Sequence, residues 1–415
     1  MIVPAIVQQH ADDAAILASN RTALVEAPHH RLDQLDRFDR RLAAHLDGLR
    51  LSGEEGWALC EAALENPSPG AVFTITVRAL EERDDTRLDR VFALVQAVPE
   101  TCAGLLAAFE WIESTRLHGT VASLLGHRDG FKRMVGVAAC AAHRVDPKIL
   151  SGGCLRDTDP AVRARSFQAV GELGLCDALS SCVAALTDAD DDGRFRAAWS
   201  AVLLGDRNRA LEALTQRGLS AGPHRARAFR LALQAMKTGA AHGVLQQLSG
   251  NAENARWLIH GSGIVGDPMY VPWLLKQMGD RSAARLAGEA FSTIAGVQLG
   301  QAALDGPAPE NFESGPTDDP DDPNIDMDPD DGLPWPDPER VQRWWDAHTS
   351  RFTPGQRYFM GAPVTREHCV AVLKNGYQRQ RILAAHYLCL LEPGTPLFNT
   401  SAPAWRQQRL LAGMN

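Results

Sequence analysis

The residue types best able to do chemistry sit in the last third of the chain. Asp326-Met327-Asp328-Pro329-Asp330-Asp331-Gly332 sets alternate carboxylates along one short stretch, which is how a calcium loop begins. The glycine falls one place late, position twelve would be Asp337 where a bidentate Glu is wanted, and Pro329 interrupts the loop. The stretch therefore reads as an acidic loop. The thirteen histidines are scattered, with no HExxH, and Glu367-His368 is a Glu/His neighbour without a repeated partner. Neither a zinc nor a di-iron ligand set follows from that. Gly261-Ser262-Gly263 approaches a nucleophile elbow, but no strand precedes it and close helix packing accounts for both glycines. Phosphate-cradling glycine loops are missing. These residues predict a chain that is not an enzyme and that uses no cofactor and no metal.

What remains is recognition chemistry. A basic residue recurs ahead of an Ala-rich apolar run and a glycine: Lys132, Arg163, Arg196, Arg227, Arg256 and Arg285, at intervals of 31, 33, 31, 29 and 29. On one reading each is a helix-start cation paired with an Asp in the turn of the preceding unit. On the other, the cations form a ladder along one edge that receives an acidic partner, the chain's own Asp-rich segment being one such partner. Trp335, Trp344 and Trp345, with Arg351, Arg357 and Arg379, add the aromatic and basic composition that interaction hot spots favour. Trp344 and Trp345 are neighbours on a helix and point roughly 100° apart, so one can be core while the other is half exposed. These three tryptophans and the eight arginines among these cations are the candidate protein-binding residues.

The elements that would hold them follow from the period. A repeat near 30 residues with this much self-similarity marks stacked supersecondary units. Each unit reads as two helices, with Asp, Pro or Asn clusters supplying N-caps and glycines such as Gly174 supplying stops. The expected fold is an all-α solenoid of HEAT-like helical hairpins. Residues 1–69 form an N-terminal helical cap, 70–297 the array, 298–337 an acidic Pro/Asp-rich loop and 338–415 a helical C-terminal cap with a final repeat-like pair. AVFTITVRAL is β-branched enough to be taken for a strand, but its place in the array predicts helix.

Net charge is −9, and residues 305–332 carry eleven acidic residues and no Lys or Arg, so the rest of the chain stands near neutral. A general nucleic-acid binder would need a contiguous basic surface. Eight cysteines without CxxC spacing, no basic leader and no apolar run of about 20 residues predict a reduced, cytoplasmic chain that neither spans nor binds a membrane.

Five stretches together resemble a family of uncharacterised bacterial proteins found with type VI secretion loci, near genes for VgrG spike proteins and their effectors. They are IVPAIVQQHADDAAIL with the following Arg21, DPDDGLPWPDP, RWW at Arg343–Trp345, PGQRYFMG at Pro354–Gly361, and GYQRQRILAAHYLCLLEPGTPLF at Gly376–Phe398. The similarity runs the full length and carries no catalytic residues. It implies an adaptor or chaperone for an effector or spike protein, with no small-molecule substrate. An immunity protein that binds and blocks a secreted toxin is the alternative, and a metal-dependent enzyme using the acidic loop is a third.

Overall fold

Pro4–Leu24 forms α1, Leu32–Leu51 α2 and Gly53–Ala62 α3 in a computed structural model that describes residues 3–148, 150, 153–310, 312, 314–315 and 327–414. Leu32, Leu35, Leu42, Leu46 and Leu49 make the buried stripe of α2. The exposed pairs Asp33–Arg37 and Asp36–Arg40 occupy its other side at i,i+4. The β-branched stretch folds as α4 (Pro69–Glu82), in which every residue from Gly70 to Leu80 is buried. A helix buried on all sides belongs inside a core, and tertiary burial here overrides the strand propensity of its valines, isoleucine and threonines. Thr74 and Thr76 donate their hydroxyls to the carbonyls of Gly70 and Val72, so neither is left unpaired.

The chain continues through α5 (Asp85–Ala97), α6 (Cys102–Trp111), α7 (Ser114–Leu125), α8 (Gly130–Ala142), α9 (Pro160–Leu173), α10 (Leu179–Ala184) and α11 (Asp191–Leu203). Helices touch in chain order, α4 on α6, α6 on α8, α8 on α9 and α9 on α11. One expectation fails: between α8 and α9 the described residues hold a single 3-10 turn, Cys154–Arg156, in place of a second helix. Arg144 and Lys148 take left-handed φ values of 55° and 61° on either side of Pro147, which no helix can accommodate.

The chain forms two compact units, residues 1–206 with 373–415, and residues 207–372. In the second, α12 (Arg209–Leu219), α13 (Arg225–Ala235), α14 (Thr238–Leu248), α15 (Ala255–Val265), α16 (Val271–Gln277) and α17 (Ala284–Ala295) follow one another. Within it α13 packs on α15 and α15 on α17. Gly263 lets α17 approach, since a Cβ there would press on Ala290. Gly306 N donates to Trp335 O and Asp337 N to Leu304 O, so the acidic segment leaves and rejoins the fold at one place. Asp337 then caps α18 (Pro338–His348), its side chain accepting from the amides of Glu339 and Arg340. Where the sequence reads as loop, β1 (Tyr358–Phe359) and β2 (Ala362–Pro363) pair antiparallel. Met360 and Gly361, both at positive φ, make the tight turn between them. The helix α19 (Arg366–Asn375) spans the division between the units.

α20 (Gln378–Leu391) and α21 (Ala404–Ala412) complete the first unit. The segment between them crosses the C-terminal ends of earlier helices. Leu397 N donates to Glu172 O, Asn399 Nδ2 to Ala142 O, and Arg406 to the carbonyls of Glu110, Trp111 and Ile112. These acceptors lie in or next to the last turns of α9, α8 and α6, where helix carbonyls have no partner of their own. Among the described residues the helices are joined by only these two short strands, and no helix is long and apolar enough to cross a membrane.

Candidate protein-binding site

The repeated cation is real, but its register differs from the one the sequence suggests. In the first unit Arg133, Arg163 and Arg194 each stand four residues after an N-cap aspartate, Asp129, Asp159 and Asp190. Each sends Nη1 back to the two carbonyls before its own cap: His127 and Arg128, Asp157 and Thr158, Asp188 and Ala189. Arg133 and Arg163 then reach forward to Asp157 and Asp188 in the turns before α9 and α11, at 2.7 and 3.3 Å. Hydrogen bonds hold the Asp157 carboxyl below its usual range, that from Arg133 foremost. At Asp188 the Asp190 amide is the leading cause of the same lowering. The pairing is thus with the following turn, and two residues of the sequence ladder stand elsewhere. Lys132 reaches Asp89 at 2.5 Å, while Arg196 pairs with Asp192 at 2.7 Å and with the Gln168 side chain.

In the second unit Arg225, the first residue of α13, likewise reaches forward, donating to Asn254 Oδ1 in the turn before α15 and stacking on Trp257. Arg227 is exposed on the same helix. The six residues Arg133, Arg163, Arg194, Arg225, Arg256 and Arg285 are 30, 31, 31, 31 and 29 apart, more even than the intervals of the Lys132–Arg285 ladder. That evenness was the signal for choosing between neighbouring cations at three positions.

Arg256, Arg285 and Trp335 come together on the acidic segment. Arg256 grips Asp330 with both Nη atoms, at 2.9 and 2.7 Å, and Asp330 is buried. Arg285 pairs with Asp328 at 2.6 Å and donates to Asp330 O, while Trp335 and Phe312 cover its guanidinium at 4.8 and 5.1 Å. Burial alone would raise the Asp328 carboxyl; the Asp330 amide and Arg285 override it and hold it low. The two carboxylates central to the calcium-like pattern are therefore held by arginines, and Asp326 lies outside the described residues. No group of three or more His, Cys, Asp or Glu side chains gathers as a metal site among the described residues.

The aromatic residues of α18 split as their angular offset requires. Trp345 is buried and Trp344 half-buried, both meeting Phe291 edge-on, and Trp344 stacks on His348 at 4.2 Å. Trp345 also forms part of a groove of about 690 Å3 between α16 and α18. Pro272, Leu275 and Pro338 are its other apolar walls, and Lys276, Glu339, Gln342, Arg343 and Asp346 its polar ones. Arg351 is exposed, near Phe352. Arg357 is not available to a partner: it donates to the carbonyls of Val265, Gln234, Leu233 and Met236, closing the ends of α13 and α15. Arg379 donates to Glu26 O in the first unit.

Two arrangements escaped the sequence reading. A hollow of about 480 Å3 in the first unit is walled by Asp47, Glu54, Glu81 and Glu82 against Arg50 and Arg116. In the second unit His242 lies between Tyr270 Oη, 2.6 Å from Nδ1, and the buried Asp267 carboxylate, 3.1 Å from Nε2. The order of groups is that of a catalytic triad. Burial, helped by Asp267, pushes the Tyr270 phenol up to about 12, the opposite of activation. Asp267 also accepts from the amides of Met269 and Gly355, which makes it a local anchor. No protein-family model matches the sequence, and no curated protein matches it.

Proposed function

We propose that this chain is a non-enzymatic scaffold of HEAT-like helical hairpins, an α-solenoid, that holds another protein. The observation that supports this best is the groove between α16 and α18, with Trp345 and Leu275 among its apolar walls and charges of both signs around it. An aromatic anchor inside a polar rim is the anatomy of a protein interface. The resemblance carried by DPDDGLPWPDP and PGQRYFMG makes the partner an effector or spike protein of a type VI secretion system, and the role that of an adaptor or chaperone in the cytoplasm.

Co-expression with the effector and spike protein of such a locus tests the reading. Gln342→Trp, at an exposed wall position, fills the groove without touching the core. It should weaken retention of the partner at least about tenfold, roughly 1.4 kcal/mol. Unchanged retention would remove the groove from the proposal. Protection of cells from the effector, without loss of its secretion on deletion, would replace the adaptor role by the immunity role.

A further inference from the structure

Three Asp-x-Asp turns in this chain share one geometry: Asp157-Thr158-Asp159, Asp188-Ala189-Asp190 and Asp328-Pro329-Asp330. In each, the amide of the second Asp donates to Oδ1 of the first at 2.9 Å. In each, the first Asp receives an arginine, from Arg133, Arg163 and Arg285 respectively. The first two turns open a repeat helix, their second aspartates capping α9 and α11. The third opens none, since the next helix begins at Pro338. Freed from capping, Asp330 takes Arg256 through both carboxylate oxygens.

The acidic segment thus supplies the turn of a repeat that the chain does not contain. Arg285 meets its first Asp as Arg133 and Arg163 meet theirs, and Arg256 adds a grip on the second Asp that the other two turns lack. We infer that Arg256 and Arg285 form a receptor for Asp-x-Asp turns, filled in the isolated chain by its own Asp328–Asp330, and that an acidic turn of a protein partner takes that place. The inference rests on the scaffold reading and names the partner's chemistry at a second position. Charge complementarity and the chain's own seated segment identify the occupant. The Arg256 side chain keeps 44% of its exposure, so a competitor can reach it, while Asp330 at 5% is the shielded member of the pair. A tethered ligand competes at an effective concentration of about millimolar, so a free peptide should bind the intact chain poorly.

The test uses the full chain and a labelled synthetic peptide of residues 327–335, read by fluorescence anisotropy. Asp328→Asn with Asp330→Asn empties the receptor and should tighten peptide binding at least about tenfold relative to the unmodified chain. Adding Arg256→Glu should abolish the gain, and raised salt should weaken binding because the contact is ionic. Equal affinity for both chains, or equal binding of a peptide with Asn at both positions, would overturn the inference. If the double variant loses its helical circular dichroism, Asp330→Asn alone, which keeps Asp328 on Arg285, decides by the same comparison. No partner protein enters this experiment, so its failure leaves the groove test standing, and a failed groove test leaves this one readable.

Discussion

At the residue scale, arginine does two different jobs in this chain, and only one of them is visible as charge pairing. Arg357 and Arg406 have carbonyl partners: four for Arg357 and three for Arg406, at or near helix C-termini. The planar five-donor fork suits such a site, where an ammonium would serve fewer acceptors. Arg357→Met should therefore lower the unfolding free energy of the full chain by about 2–4 kcal/mol, since hydrogen bonds to a charged donor are lost and buried carbonyls are stranded. Urea unfolding followed by circular dichroism measures it. A midpoint shift worth less than about 0.5 kcal/mol would mean that water replaces the guanidinium without cost. From sequence, Arg357 looked like a surface cation beside a tryptophan, because nothing local reveals which carbonyls a loop will cross. Asp39 reads in sequence as one of the alternating charges of a solvated helix face, and the structure reverses that. It falls on the Leu32–Leu35–Leu42–Leu46–Leu49 stripe, is wholly buried, and accepts from Arg21 at 2.7 Å and from Ala404 N at 2.8 Å. Helical spacing alone separates it from Asp33 and Asp36.

At the scale of elements, glycine sets how closely the helices of the first unit meet. A Cβ on Gly104 would overlap the Pro69 carbonyl, and one on Gly70 the Ala15 carbonyl, so α6 and α1 both ride on α4 at backbone contact. Gly104→Ala must push α6 off α4 and open the packing around Phe73, Leu105 and Phe109. Overpacking typically costs about 1–3 kcal/mol; with backbone as the obstacle, the upper end or beyond is expected. Gly119→Ala, where a Cβ meets nothing within 4 Å, is the control and should leave the thermal midpoint unchanged or slightly raised. Equal midpoints for the two variants would show that α6 can shift freely. Elements of this kind were readable in advance because their signals are local: Asp159-Pro160 and Asp337-Pro338 start helices, Gly174 at φ 70° ends one. The lack of a second helix after α8 among the described residues was not readable, because it depends on contacts far along the chain; that the cation ladder could receive the chain's own Asp-rich segment was one of its two readings, but not that Arg256 and Arg285 alone would meet it.

At the scale of the whole molecule, the net charge of −9 invites an account of acid sensitivity built on carboxylates, but the first window belongs to histidine. Burial lowers His143, His45 and His30 below their ordinary value; at His143 this outweighs the opposing bond from its ring to Phe109 O. A histidine in the unfolded chain takes up a proton near pH 6.5, whereas these three resist it in the folded state. Below about pH 6.5 the unfolded state therefore binds more protons, and stability falls as pH falls. The carboxylates held low, Asp157, Asp188, Asp328 and Glu172, act later: their contribution is lost only as pH drops through and below the usual carboxylate range near 4. Unfolding free energy should thus decline between pH 7.5 and 5.5, at up to about 1.4 kcal/mol per pH unit for each fully titrating group, and melting temperature with it. His45 and His30, more exposed, contribute less because solvent screens them. His143→Gln keeps a donor for Phe109 O and removes the titration, so thermal melts of that variant should show the shallowest slope over this range. A slope equal to that of the unmodified chain would move the acid sensitivity away from His143, and a rise in stability toward pH 5.5 would reverse the sign assigned to all three.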